Sequence, residues 1–159
     1  TELRVNDKPQ TPLPKVERLR AGIVVAEWNA HVTEALLAGA LEVFKNEGYL
    51  IEDIVVEHVP GTVELTYGAS RMMRMPVDAV IVFGCVIRGG TPHFDYVCDS
   101  VTQGVAQLNA LGTKPVVFGV LTTDNEEQAV ERAGGALGNK GSEAAEVAIK
   151  MVDFSRRIG

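Results

Sequence analysis

The run Arg88-Gly-Gly-Thr-Pro-His93 concentrates the groups best able to do chemistry in this chain of 159 residues. Thr91 can cap a helix with Pro92 at its first position, where a missing N–H costs nothing and the fixed φ suits the helix. His93 then falls in the first turn, and imidazole both gives and takes protons near neutrality. Gly89 and Gly90 leave backbone bare for close approach of a ligand, and the free N–H groups of a helix start attract anions. A tight turn with a capped helix and an exposed His uses the same residues.

Other reactive or adhesive groups are scattered. Trp28, the only Trp, lies between the polar residues Glu27 and Asn29, which points to a loop mouth. Glu64 follows an N-cap at Thr62; it favours a helix dipole or offers a carboxylate to ligand hydroxyls. Arg132, and Lys140 within Gly138-Asn-Lys-Gly141, are cations for an anionic ligand or ordinary surface charges. His31 and His58 show no partner pattern and read as surface or structural residues. Neither GxGxxG nor GxxxxGK[ST] occurs, so no nucleotide pyrophosphate cradle is indicated. Cys85 and Cys98 lack CxxC or zinc-like spacing, so neither a disulfide framework nor a metal site is expected, and a reduced, cytoplasmic setting fits.

The elements that must position these groups alternate along the chain. Apolar runs at 21–26, 53–58, 78–85 and 115–121 read as strands. The first, third and fourth are apolar on both faces and β-branched, as in a buried parallel sheet. Between them lie helical stripes: Leu37, Ala40, Leu41 and Phe44 ahead of Gly48; Phe94, Val97, Val101, Val105 and Leu108 ahead of Gly112; and Ala144, Val147, Ala148 and Met151, with Glu146 and Lys150 paired outside. Thr123 to Glu126 reads as a capping box for a short helix stopping at Gly134-Gly135. This alternation predicts an α/β fold with right-handed crossovers covering both sheet faces, and ligands beyond the strands' carboxyl ends. Residues 1–20, with Pro9, Pro12 and Pro14, are expected to form an extended arm outside a single domain at 21–159.

Charge and hydropathy exclude several functions. Lys and Arg number 15 and Asp and Glu 21, a formal charge of −6 without a basic cluster, unlike a nucleic-acid binder. No apolar run reaches the ~18 residues of a membrane span, and the polar N-terminus has no signal-peptide core. The first residue is Thr rather than Met, so loss of one or more residues there is an expectation.

Five strings in a single register from about residue 21 onward resemble the lumazine synthase family. They are Glu27-Trp-Asn29, Val59-Pro-Gly-Thr-Val-Glu64, Gly84-Cys-Val-Ile-Arg-Gly-Gly-Thr-Pro-His-Phe-Asp-Tyr96, Phe118-Gly-Val-Leu-Thr-Thr123, and Glu131-Arg-Ala-Gly134 followed by Gly138-Asn-Lys-Gly141. Each is weak alone; their order makes the resemblance specific. It implies a flavodoxin-like, three-layer α/β/α fold with a four-stranded parallel sheet in the order 2-1-3-4. It also implies homopentamers with active sites between subunits, and no organic cofactor or metal.

The implied reaction condenses 5-amino-6-(D-ribitylamino)uracil with 3,4-dihydroxy-2-butanone 4-phosphate, giving 6,7-dimethyl-8-ribityllumazine, phosphate and water. By motif position Trp28 stacks on the pyrimidine. Asn29, Glu64 and the backbone around Thr62 and Val63 hold the ribityl chain, and Val86 and Ile87 contact the heterocycle. Gly90 and Thr91 bind the phosphate, with Arg132 reaching in from the adjacent subunit. Lys140 and Phe118 also come from the neighbour, and His93 moves protons.

Two departures stand out: Val63 replaces the family's usual aromatic residue, and Thr66 its usual proline. The absence of an insertion between Arg132 and Lys140 is compatible with pentamers closing into an icosahedral shell, which the proline arm opposes. Association with riboflavin synthase is allowed. The competing readings are an archaeal-type riboflavin synthase, disfavoured by the phosphate site, and a non-catalytic flavin-binding, lumazine-binding or shell protein.

Overall fold

A computed structural model describes residues 11–159. Four parallel strands form one sheet in the order β2-β1-β3-β4, comprising β1 (Ala21–Ala26), β2 (Ile54–Val59), β3 (Ala79–Ile87) and β4 (Val116–Thr123). The intervening helices are α1 (Ala30–Asn46), α2 (Leu65–Met72), α3 (His93–Ala110) and α4 (Glu126–Arg132). A small antiparallel hairpin of β5 (Ala133–Gly135) and β6 (Gly138–Asn139) then leads into α5 (Lys140–Ile158). Sheet, order and helices on both faces agree with the α/β expectation.

Strand alternation divides the core. Ile23, Val25, Ile81 and Phe83 pack under α1 and α5, whereas Val24, Val80, Val82 and Val120 pack under α2 and α3. The central strands are the most apolar because both their faces are covered: β1 is buried throughout and β3 over its first seven residues. β4 departs from the expectation of two apolar faces. It lies at the sheet edge and leaves Phe118 and Thr122 exposed.

Several local expectations need correction. α1 begins at Ala30, where Asn29 turns the chain in the left-handed region at φ 61°. In its first turn Thr33 donates its hydroxyl to the Ala26 carbonyl at 2.8 Å. Gly48 does end α1 as expected, at φ 89°, and Gly112 follows α3 at φ 71°. The α4 cap is Asn125, whose side chain accepts from the Gln128 N–H at 2.8 Å; Thr123 bonds to the Asn125 carbonyl and caps nothing. The α5 stripe is rotated: Ala144 and Ala148 are buried with Ala145, Ile149 and Val152, but Val147 and Met151 are exposed. Small residues face inward because α5 crosses α1 very closely. A Cβ on Gly141 would lie 1.8 Å from the Leu36 carbonyl oxygen.

The expected arm falls partly outside the described residues. Within them, Val16 and Leu19 are buried against the α1/α5 side rather than standing apart. Arg156 donates to the Glu17 carbonyl and pairs with Asp78, but exposed pairs contribute ~1 kcal/mol or less. Burial of Val16 and Leu19, about 1.5–3 kcal/mol each, is the larger effect holding this segment.

Thr66 carries a consequence of its departure from the family pattern. Its hydroxyl is buried without a hydrogen-bond partner among the described residues and faces Gly104 of α3, where an added Cβ would lie 2.1 Å from it. An orphaned buried hydroxyl costs roughly 1–3 kcal/mol. Thr66→Val, nearly identical in shape, is expected to stabilise the fold by about 1 kcal/mol, read from the denaturant midpoint; a loss of stability would show that the hydroxyl has a partner.

Candidate active site

Three strand exits meet where strand order reverses, between β1 and β3. Past β1 the chain stays tied to the β2 exit: Glu27 donates to the Val59 carbonyl at 2.8 Å and Trp28 to that of Pro60 at 3.0 Å. Trp28 remains 67% exposed, its indole lying on the bare backbone of Gly61. A Cβ there would sit 2.5 Å from indole Cε3, so glycine is required for space rather than for φ, which is −134°. Asn29 bridges to β3, donating from Nδ2 to the Cys85 carbonyl at 3.0 Å.

At the β2 exit, residues 62–64 form one 3₁₀ turn. Gly61, not Thr62, occupies the cap position, and Glu64 reaches back to accept the Gly61 N–H at 3.0 Å. This hydrogen bond holds one carboxylate oxygen and leaves the other without a protein partner among the described residues. Thr62 is buried against Gly84, whereas Val63 is exposed.

At the β3 exit, Val86 and Ile87 are half-buried and residues 88–93 are exposed. α3 starts at His93 with Pro92 at the cap, so Thr91 does not cap it. The Pro92 carbonyl accepts from Asp95 and Tyr96 at 3.0 and 3.4 Å. Nothing lies within 4 Å of a Cβ added to Gly89 or Gly90, and the backbone there is open to a ligand.

Phe118 and Lys140 lie elsewhere. Phe118 pairs in register with Val82, while Val86 pairs with Thr122, which puts Phe118 four residues, about 13 Å, back along the strand. Phe118 and Lys140 border an open groove of 980 Å³ along the β4 edge, floored by Val147, Met151 and Phe154 of α5. Arg132, at the end of α4, donates to the Gln128 carbonyl of its own helix at 2.9 Å and lies 3.9 Å from Glu131. A single chain therefore gathers Trp28, Asn29, Thr62, Val63, Glu64, Val86, Ile87, Gly90, Thr91 and His93 at one end of the sheet. Phe118 and Lys140 border a different surface.

Sequence reading missed two histidine–carboxylate contacts near this end. His31 of α1 lies 2.6 Å from Glu126 of α4, and His58 lies 2.8 Å from Glu34. Each joins separate elements, so no local spacing signals it. Cys85 lies buried beneath the crevice; burial, with the nearby Glu126 carboxylate, pushes its thiol up to about 11. It is thus neutral at physiological pH and not poised as a nucleophile. Among the described residues no cluster of His, Cys, Asp or Glu could hold a metal ion, and no helix is long and apolar enough to cross a membrane.

Residues 18–156 match the 6,7-dimethyl-8-ribityllumazine synthase family. The chain belongs to that family. It is accordingly an enzyme of riboflavin biosynthesis. It is 59% identical over 137 residues to a 6,7-dimethyl-8-ribityllumazine synthase of Bacteroides fragilis, covering 86% of this chain and 96% of that protein. A protein of the same name from Phocaeicola vulgatus is 51% identical over 155 residues, 97% of this chain and 92% of that one. Parabacteroides distasonis provides a third, 55% identical over 90% of each chain.

The Trp28–Gly61 contact allows a test of the expectation that the indole stacks on a pyrimidine. Gly61→Ala is expected to displace the indole and weaken binding of a ribitylpyrimidine analogue about tenfold in calorimetry, while inorganic phosphate binds as before. Unchanged pyrimidine affinity would show that the indole is not its platform.

Proposed function

We propose that the crevice at the carboxyl ends and the β4 edge are two halves of one composite site, completed when copies of the chain assemble as pentamers. There the chain condenses 5-amino-6-(D-ribitylamino)uracil with 3,4-dihydroxy-2-butanone 4-phosphate to 6,7-dimethyl-8-ribityllumazine, phosphate and water. The position of Phe118, about 13 Å back along the sheet from the crevice level, carries this reading. It borders the groove with Lys140 and belongs with the crevice of another copy.

Trp28 stacks on the pyrimidine, whose other contacts are Val86, Ile87 and the neighbour's Phe118 and Lys140. Asn29, Glu64 and the backbone at Thr62 and Val63 hold the ribityl hydroxyls. The second substrate's phosphate sits on Gly90 and Thr91, and Arg132 from the neighbour turns its fork of donors onto it. The 5-amino nitrogen attacks the ketone carbonyl, and water leaves as the imine forms. Phosphate departs with its C–O bond pair, the chain tautomerises, and the ribitylamino nitrogen closes the ring with loss of a second water. His93 carries protons between these steps, while most of the acceleration comes from holding two substrates in register. Pentamer closure into a shell is compatible with the tight hairpin joining Arg132 to Lys140. Two unpaired thiols suit a reducing compartment, the cytoplasm.

Two experiments test this reading. Glu64→Ala and Arg132→Ala chains, each inactive alone, are co-refolded and assayed for lumazine fluorescence and phosphate release; random mixing restores about a quarter of the sites. No recovery would place both halves in one chain. His93→Ala is expected to lower turnover by at most about a hundredfold with calorimetric binding of a substrate analogue retained, and loss of binding would overturn its role in proton transfer.

A further inference from the structure

We propose that Arg88 is a positioning residue for the phosphorylated substrate: it holds the segment 89–92 and the His93 end of α3 in the geometry that receives the phosphate. This rests on the reading that Gly90 and Thr91 carry that phosphate. The link between β3 and α3 is short, exposed and rich in glycine, and Gly89, Gly90 and Thr91 make no hydrogen bond to any described residue. Its conformation is therefore set at its ends.

Arg88 reaches both ends. Its N–H donates to the Thr123 carbonyl at 2.8 Å and its Nε to the Asp124 carboxylate at 3.0 Å, which ties the start of the link to the β4 exit. Its guanidinium covers the Phe94 ring, 4.5 Å from the centroid, and Phe94 directly follows His93. One side chain thus spans the link from its first residue to the helix just beyond its last. Asp124 already balances the Arg88 charge, so the contribution is geometric. The planar fork and the stacking face act together, which a lysine ammonium cannot reproduce. When the link samples other conformations, apparent phosphate affinity falls by the fraction of chains in the competent one.

Steady-state kinetics on the assembled enzyme, with each substrate varied and inorganic phosphate as inhibitor, separates the outcomes. Arg88→Ala, Arg88→Lys and Asp124→Ala are each expected to raise KM for the phosphorylated ketone, and the phosphate inhibition constant, about tenfold. KM for the ribitylaminouracil should stay within about twofold. Full rescue by Arg88→Lys would reduce the role to charge. Tighter phosphate inhibition in Asp124→Ala would make Arg88 a direct ligand, and equal rises in both KM values with a lowered Tm would make it merely structural; any of these overturns the proposal. Thr91→Ala tests the underlying reading. If it leaves phosphate inhibition unaltered, the phosphate does not sit on this segment and both ideas fall. If it weakens inhibition while the Arg88 variants do not, the role of Arg88 alone is lost.

Discussion

The hydrogen bond from Asn29 to the Cys85 carbonyl spans the seam on which the functional end of this molecule depends. β1 passes the chain through α1 to β2 on one side, and β3 passes it through α3 to β4 on the other. The two connections leave on opposite faces of the sheet, so their first residues diverge and a crevice opens above the strands. Asn29 is suited to that position twice over. It tolerates the left-handed turn that starts α1 more readily than most residues, and its amide reaches across to the neighbouring strand. Without such a bridge, the tips of β1 and β3 would be joined only by the ladder below them.

On the proposed reading, the groups around this seam let a chain of net charge −6 receive an anionic substrate. Backbone N–H groups at residues 89–91 supply positive potential without a formal charge, and Asp124 offsets the one cation beside them. On the proposed reading, free cationic charge comes from a second copy of the chain, and the acidic balance describes the outer surface while the site draws on local dipoles.

The layered fold was legible in the sequence because a parallel sheet buried on both faces leaves continuous β-branched runs, as in β1 and β3. Edges and caps were less so. β4 reads like a central strand by composition, yet nothing in its sequence says which flank lacks a neighbour. Val147 and Met151 fall on an apolar stripe by helical period, but the crossing at Gly141 turns α5 so that Ala144, Ala145, Ala148, Ile149 and Val152 face inward while Val147 and Met151 face outward. Caps were misplaced by one or two residues, at Thr62, Thr91 and Thr123, because glycine, proline and asparagine nearby fit the backbone geometry better. Trp28, Glu64 and His93 were visible as chemistry-bearing groups beside strand ends. The Arg88 bridge and the His31–Glu126 pair were not, since both join residues distant in sequence.

The exposed β4 edge has a consequence for the life of the lone chain. An uncovered strand bordered by Phe118, Val147, Met151 and Phe154 is the kind of surface on which a wrong partner can nucleate a sheet. Lys114, Lys140 and Lys150 border the same groove, and charged side chains along an edge disfavour indiscriminate strand pairing. The lysines bordering the groove thus oppose indiscriminate pairing of a stray flat strand with this edge.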